Sequence, residues 1–241
     1  MRYAVLSDVH GNLEALEAVL ADAAAHADAV VCLGDVVGYG ADPIPCVERL
    51  AERAQAVVAG NHEHGVTGQM SLAWFNQYAR AAAEWTREQL DDDHRDWLAA
   101  LPLTASVGDA TLVHASPRHP EEWDYLVSAE DGYAAFDAFE TRVCFVGHSH
   151  LPGVWSLGSA GREHEGGNVD VTLEAGRRYL VNVGSVGQPR DRDVRAAYAV
   201  WDADGRRIQI RRVAYDVNVA RAKIAAAGLP RFLADRLAAG A

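Results

Sequence analysis

Five short apolar runs in this chain each stop at residues able to hold a cation, and that repetition constrains the fold more than any other feature. The runs are YAVLS before Asp8 and His10, VVCLG before Asp35, AVVAG before Asn61 and His62, TLV before His114, and CFVG before His148 and His150. Short continuous apolar runs bounded by glycine and polar residues read as buried strands. In an open α/β sheet the carboxyl ends of parallel strands share one edge, so side chains just beyond them meet in a crevice. A capping aspartate or a core histidine at one strand end would mean little. Five such ends together require a common cause.

The remaining pattern supplies helices to cover those strands. NLEALEAVLADAAAH places leucine and alanine at helical spacing, with Asn12 as its cap. DPIPCVERLAER offers Asp42 as cap and Pro43 in the first turn, where the missing N–H costs nothing. Residues 64–101 break the strand–helix rhythm and read as a helical insertion built from LAWFNQYARAAAEWTREQL and DHRDWLAAL. TASV and ATLV flank Gly108-Asp109 as a hairpin. Glu121 to Glu140 reads as largely helical. After Pro152 the pattern turns to β: VWSL, VDVTL, RRYLVNV, AAYAVWD and RRIQIRRVAYD, the last two joined through Ala203-Asp204-Gly205. Two glycine-ended helices, NVARAKIAAAG and RFLADRLAAG, close the chain. With no linker or internal repeat, the expectation is one α/β domain over residues 1–241.

The spacing of the strand-end residues makes chemical sense. Asp8 and His10 lie two apart on an extended segment, so both can point into the crevice, and His148 and His150 repeat the arrangement. The donors are carboxylate, imidazole and amide without thiolate, a set that suits Mn, Fe, Co, Ni or Zn. Seven donors (Asp8, His10, Asp35, Asn61, His114, His148, His150) exceed the four or so that one tetrahedral ion needs. Two ions roughly 3.5–4 Å apart are a known solution for phosphoryl hydrolysis. A hydroxide between two cations is a plausible nucleophile, because they lower the pKa of water.

Charge narrows the partners. The net charge of −12 is uneven: residues 1–176 hold 9 basic and 28 acidic side chains, and residues 177–241 hold 13 basic and 6 acidic. Most of such a surface repels a long polyanion, so no extended nucleic-acid interface is expected, while a small phosphorylated substrate remains compatible. The first residues are too short an apolar run for a signal peptide or membrane span. Cys32, Cys46 and Cys144 form no CxxC pair, which fits a reduced, cytoplasmic setting. Nothing in the sequence sets an oligomeric state.

Taken in order, Asp8-Val9-His10, Gly34-Asp35, Gly60-Asn61-His62-Glu63, His114 and Gly147-His148-Ser149-His150 resemble the motifs of the calcineurin-like metallophosphoesterase superfamily. NVGSVGQPRD at 182–191 resembles the C-terminal sheet of its small bacterial members, which extends the likeness over the whole chain. The resemblance implies a two-sheet β-sandwich flanked by helices. It also implies that Asp8, His10, Asp35 and His150 hold one divalent ion, with Mn the first expectation. Asp35, Asn61, His114 and His148 would hold the second, Asp35 bridging the two. His62 matches the catalytic histidine that meets the phosphate or protonates the leaving oxygen.

Two departures matter. The protein Ser/Thr phosphatases read GDxxDRG where this chain has Gly34-Asp35-Val36-Val37-Gly38-Tyr39-Gly40, so Gly38 replaces an aspartate supporting the histidine and Tyr39 replaces a phosphate-binding arginine. Arg118 and Arg190 are the candidate replacements, and Asn12 is a further candidate substrate contact. The sequence therefore points to a small-molecule phosphatase or phosphodiesterase, acting on small or nucleotide-type substrates. The alternative is a non-catalytic metal-binding scaffold on the same fold, which loss of metal-binding histidines would favour. A DNA-repair nuclease does not fit the charge.

Overall fold

The computed structural model describes all of residues 1–241. In chain order its elements are β1 (Arg2–Leu6), α1 (Leu13–His26), β2 (Ala29–Cys32), α2 (Pro43–Arg53), β3 (Ala54–Val57), α3 (Asn61–Thr67), α4 (Gln77–Gln89), α5 (Asp92–Ala99), β4 (Thr104–Val107), β5 (Ala110–Val113), α6 (Ala129–Ala135), β6 (Val143–Val146), β7 (Gly153–Gly158), β8 (Gly161–Gly166), β9 (Asp170–Thr172), β10 (Arg178–Asn182), β11 (Ala196–Asp202), β12 (Arg207–Val213), α7 (Val217–Ala226) and α8 (Arg231–Ala239). They form two six-stranded mixed sheets flanked by helices, in the orders β3-β2-β1-β11-β12-β9 and β4-β5-β6-β10-β7-β8.

Side-chain alternation explains the layering. Tyr3 and Val5 of β1 join Val31, Phe145, Val181 and Trp201 between the sheets, while Ala4 and Leu6 turn outward onto Leu16 and Val19 of α1. Both faces of this sheet are covered, so its strands can be apolar throughout. The outer face of the second sheet packs Cys144, Val146 and Leu180 on Phe136 and Phe139. β1, β2 and β3 run parallel, as do β5, β6 and β10, so six strand ends share one rim of the sandwich.

Local chemistry sets the helix boundaries. Asn12 accepts from the Ala15 N–H and starts α1. Asp42 precedes α2 but accepts no cap bond; its carboxylate meets Lys223 of α7 instead. In the 64–101 stretch, Asn76 accepts from Tyr78 and Ala79, so the long expected helix divides into a short turn at Leu72–Trp74 and α4. Of Glu121 to Glu140, read as largely helical, residues 121–122 and 129–138 are helical and 123–128 are not. Ser128 and Asp131 cap α6 reciprocally and so begin it late, while His119 and Trp123 sit in the left-handed region that a continuous helix excludes. β8 is a fully exposed edge strand of alternating charges, without the apolar rhythm that marks the others. No helix is long and apolar enough to cross a membrane. The three cysteines are buried and unpaired.

Candidate metal centre

The rim where the six parallel strands end gathers all seven donor residues. Asp8, His10 and His150 place one donor atom each within 4.8 Å of one another, and so do Asp35, His114 and His148. All six are buried. His10, Asp35 and His62 make a third such group, so His62 adjoins both the first cluster and the second. Asn61 begins α3, and its Oδ1 is buried with no hydrogen-bond partner.

The backbone is bent to bring these side chains inward. Asp8, His10, Asp35, His148 and His150 all have φ between +51° and +63°. For residues with a Cβ this conformation costs on the order of 1–2 kcal/mol each. Surrounding contacts hold it in place. The His148 N–H donates to Asp8 Oδ2 at 3.0 Å, and the His62 N–H donates to Asp35 Oδ1 at 2.9 Å. Ser185 donates its hydroxyl to the Asp8 carbonyl, and Asn182 donates to the Gly147 carbonyl and Ser149 Oγ.

The histidine tautomers carry the argument for a cation. His10 Nδ1 lies 3.1 Å from the Val37 carbonyl, His114 Nδ1 2.9 Å from the Leu33 carbonyl, and His150 Nδ1 2.6 Å from the Gln188 carbonyl. A carbonyl only accepts, so each Nδ1 carries a proton and each Nε2 is the atom turned into the rim. His10 Nε2 and His150 Nε2 then stand 3.1 Å apart, and His150 Nε2 stands 3.1 Å from Asp8 Oδ1. Burial holds both rings below the usual histidine range, so each is neutral and neither can donate to the other. Three acceptors facing one another in a dry site are repulsive unless a positive charge sits among them. Asp8 Oδ1 and His148 Nε2 are likewise buried without hydrogen-bond partners. The residues fit a divalent cation. Burial alone would pull His114 down, but Asp35 outweighs it and pushes the ring up to about 9. Without a cation that extra proton rests on His114 Nε2, 3.3 Å from Asp35 Oδ2, and a bound ion would displace it.

His62 is buried, and burial lowers it to about 4. Its Nδ1 has no partner. A Cβ on Gly38, whose φ is +86°, would stand 2.1 Å from that atom, so the absence of an aspartate there follows from the close fit of backbone against ring. Tyr39 packs its ring 4.5 Å from His10 and 4.6 Å from His62. Arg190 lies over Tyr39 at 5.9 Å, is half-buried, and has an unpartnered Nε. Its charge contributes to the lowering of both His62 and His150. Arg118 is exposed, and only its backbone N–H bonds locally, to Ser116. Asn12 is buried, and both ends of its amide are engaged, by Ala15 and by the Gly187 carbonyl.

Glu63 has a part that sequence reasoning did not assign. Its buried carboxylate accepts from the N–H groups of Gly60, Asp35, Val36 and Val37, which ties the Asp35 loop to the start of α3. Burial, reinforced by Asp35, pushes its carboxyl up to about 7. The available signal was its place three residues after Gly60, where an acidic side chain caps a helix.

The model of the calcineurin-like phosphoesterase superfamily domain matches residues 1–206. The chain belongs to this superfamily. It is 41% identical over 244 residues to an uncharacterized protein of Methanocaldococcus jannaschii, covering 98% of this chain and 97% of that one. The crystal structure of a metallophosphoesterase from Sphaerobacter thermophilus matches 100% of this chain and 99% of its own, with a TM-score of 0.87 and 43% identity. A hypothetical protein from Pyrococcus horikoshii shares the fold at a TM-score of 0.79 and 21% identity, over 100% of this chain and 98% of that one. Calcineurin-like phosphoesterases are metal-dependent, and the buried aspartate and histidine clusters supply the means here.

Proposed function

We propose that this metallophosphoesterase is a dinuclear hydrolase of small phosphoesters, including nucleotide-type substrates. The observation that carries the reading is the pair of buried donor clusters, with Nε2 of His10, His114 and His150 turned inward and Asp35 reaching both groups of histidines. Asp35 Oδ2 lies 3.7 Å from His10 Nε2 and 3.3 Å from His114 Nε2, the position of a shared ligand. Asp8, His10, Asp35 and His150 would hold one ion, and Asp35, Asn61, His114 and His148 the other, with Mn as the first ion to test and Fe, Zn, Ni or Co next. Bound there, the ions supply Lewis acidity at the phosphoryl group and acidify water.

The protein's own groups complete the site. His62 is neutral at physiological pH and holds one ring proton, available to a phosphoryl oxygen or to the departing alkoxide. Arg190 brings a guanidinium to the Tyr39 side, where the GDxxDRG branch carries its arginine. Tyr39 and Phe75, whose ring centroid is 4.9 Å from His62, exclude water from that ring. Electrostatic stabilisation of developing charge is strongest in such a dry site. Purified protein reconstituted with Mn should hydrolyse p-nitrophenyl phosphate or its phenyl diester, and chelation should abolish the activity. Metal-loaded protein inactive on mono-, di- and cyclic-phosphate substrates would overturn the reading.

A further inference from the structure

One side of the rim opens into a cleft of ≈ 490 Å³ that no step above uses. Asn61 and His148 of the rim line it together with the aromatic Trp74, Phe75, Trp123 and Tyr125, and Glu121 and Glu122 stand among them. The volume is within the roughly 300–1,000 Å³ usual for small-molecule sites. Trp74 is 84% exposed and Tyr125 53%, large apolar surfaces left in water beside a catalytic rim. Tyr125 is nonetheless held in place: its ring stacks on His148 at 4.0 Å. Trp123 stands in a left-handed conformation, edge-on to His64 at 5.0 Å and to His114 at 6.0 Å.

We propose that this cleft binds the nucleobase of a nucleoside phosphate whose phosphoryl group sits on the metal rim, with Trp74 and Tyr125 as the stacking surfaces. The assignment rests on the phosphoesterase reading and names its substrate class. Aromatic faces bind bases of any sequence through their π-surfaces. Glu121 and Glu122 settle the choice between a base and a second phosphate: carboxylates repel the phosphate and accept from the exocyclic amine of a base. Arg190, half-buried over Tyr39, also reaches the Tyr125 hydroxyl, so its charge stands where the aromatic wall meets the rim and can serve the phosphoryl group of the same ligand.

The test combines two measurements on the metal-loaded protein and its Trp74→Ala variant. One is tryptophan-fluorescence titration with adenosine, which has no phosphate. The other is the ratio of kcat/KM for adenosine 5′-monophosphate to that for ribose 5-phosphate, which has no base. Saturable adenosine binding is expected, weakened about tenfold in the variant, with the ratio falling by about the same factor, the size of one base–aromatic stack. An unchanged ratio, or no adenosine binding in protein that hydrolyses ribose 5-phosphate, overturns the cleft assignment and leaves the phosphoesterase reading intact. Adenosine binding lost in the variant, without hydrolysis of any ester, keeps the cleft and removes the reaction. Self-association abolished by Trp74→Ala, with no adenosine binding, would reassign these aromatics to a contact between copies of the chain.

Discussion

Two clusters of buried and half-buried polar groups in this molecule are built on opposite principles. Around Asp22 of α1, Tyr198 of β11 donates its hydroxyl at 2.6 Å, and Arg211 of β12 donates from Nε and Nη2 at 2.7 and 2.9 Å. Each carboxylate oxygen has a donor, and the backbone there is ordinary. At the metal rim, Asp8 Oδ1, Asn61 Oδ1 and His148 Nε2 have none, and five residues with side chains hold left-handed backbone. Leaving a buried polar atom unpaired costs about 1–3 kcal/mol. The first cluster is complete and contributes stability. The second is complete only with a charged guest, which is where chemistry is expected.

If that contrast is right, substitutions in the two clusters should separate activity from stability. The largest loss is expected for Asp35→Asn, which weakens the shared position: activity should fall on the order of 10,000-fold, since several kcal/mol of charge stabilisation go with the ions. Elemental analysis of the same variant should show both ions depleted. Normal turnover with a full complement of metal would break the bridge assignment.

His62→Ala should cost about 100-fold or more on alkyl phosphates and less on p-nitrophenyl phosphate, whose leaving group needs no proton. Metal content should change little. Equal losses on both esters would instead make His62 a phosphate-binding group, and loss of metal would make it a ligand.

Glu63→Gln tests whether the rim is held from behind. Its amide would turn N–H groups toward backbone N–H donors, so thermal stability should drop by about 2–3 kcal/mol. Metal affinity should fall about 10- to 100-fold, the usual effect of disturbing the support of a ligand. An unchanged metal titration would confine Glu63 to folding.

Asp22→Asn is the control and the smallest effect: about 1 kcal/mol of stability or less, because the group is partly solvated, with activity unchanged. The pH dependence has a definite sign. The hydrogen bond from Arg211, then that from Tyr198, keeps the Asp22 carboxyl below its ordinary 3.8. Its contribution is therefore present above about pH 3.8 and fades as pH falls through the lower folded value. In denaturant titrations below pH 4, wild type should lose stability relative to Asp22→Asn.

The same contrast explains what the sequence disclosed. The rim was legible because its residues punctuate apolar runs, and the parallel ends of β1, β2, β3, β5 and β6 turn that one-dimensional pattern into a spatial one. The sandwich and the family followed from the order of those motifs. Partners distant in the chain were not legible. Glu63 bonds backbone N–H groups 26 to 28 residues away, and Asp22 meets Tyr198 and Arg211 across 176 and 189 residues. The 123–128 stretch misled because its acidic and aromatic composition suits a helix, while the positive φ of Trp123 is decided by packing beside His64 and His114. Arg118 and Arg190 looked equivalent until strand order placed only Arg190 beside Tyr39.

The central claim is that the orphaned donors form two sites and not one. Metal-free protein titrated with Mn, with bound ion and hydrolysis followed in parallel, measures this directly. The account predicts about two ions per chain, with activity rising only as the second site fills. Full activity at a reproducible stoichiometry of one would contradict it.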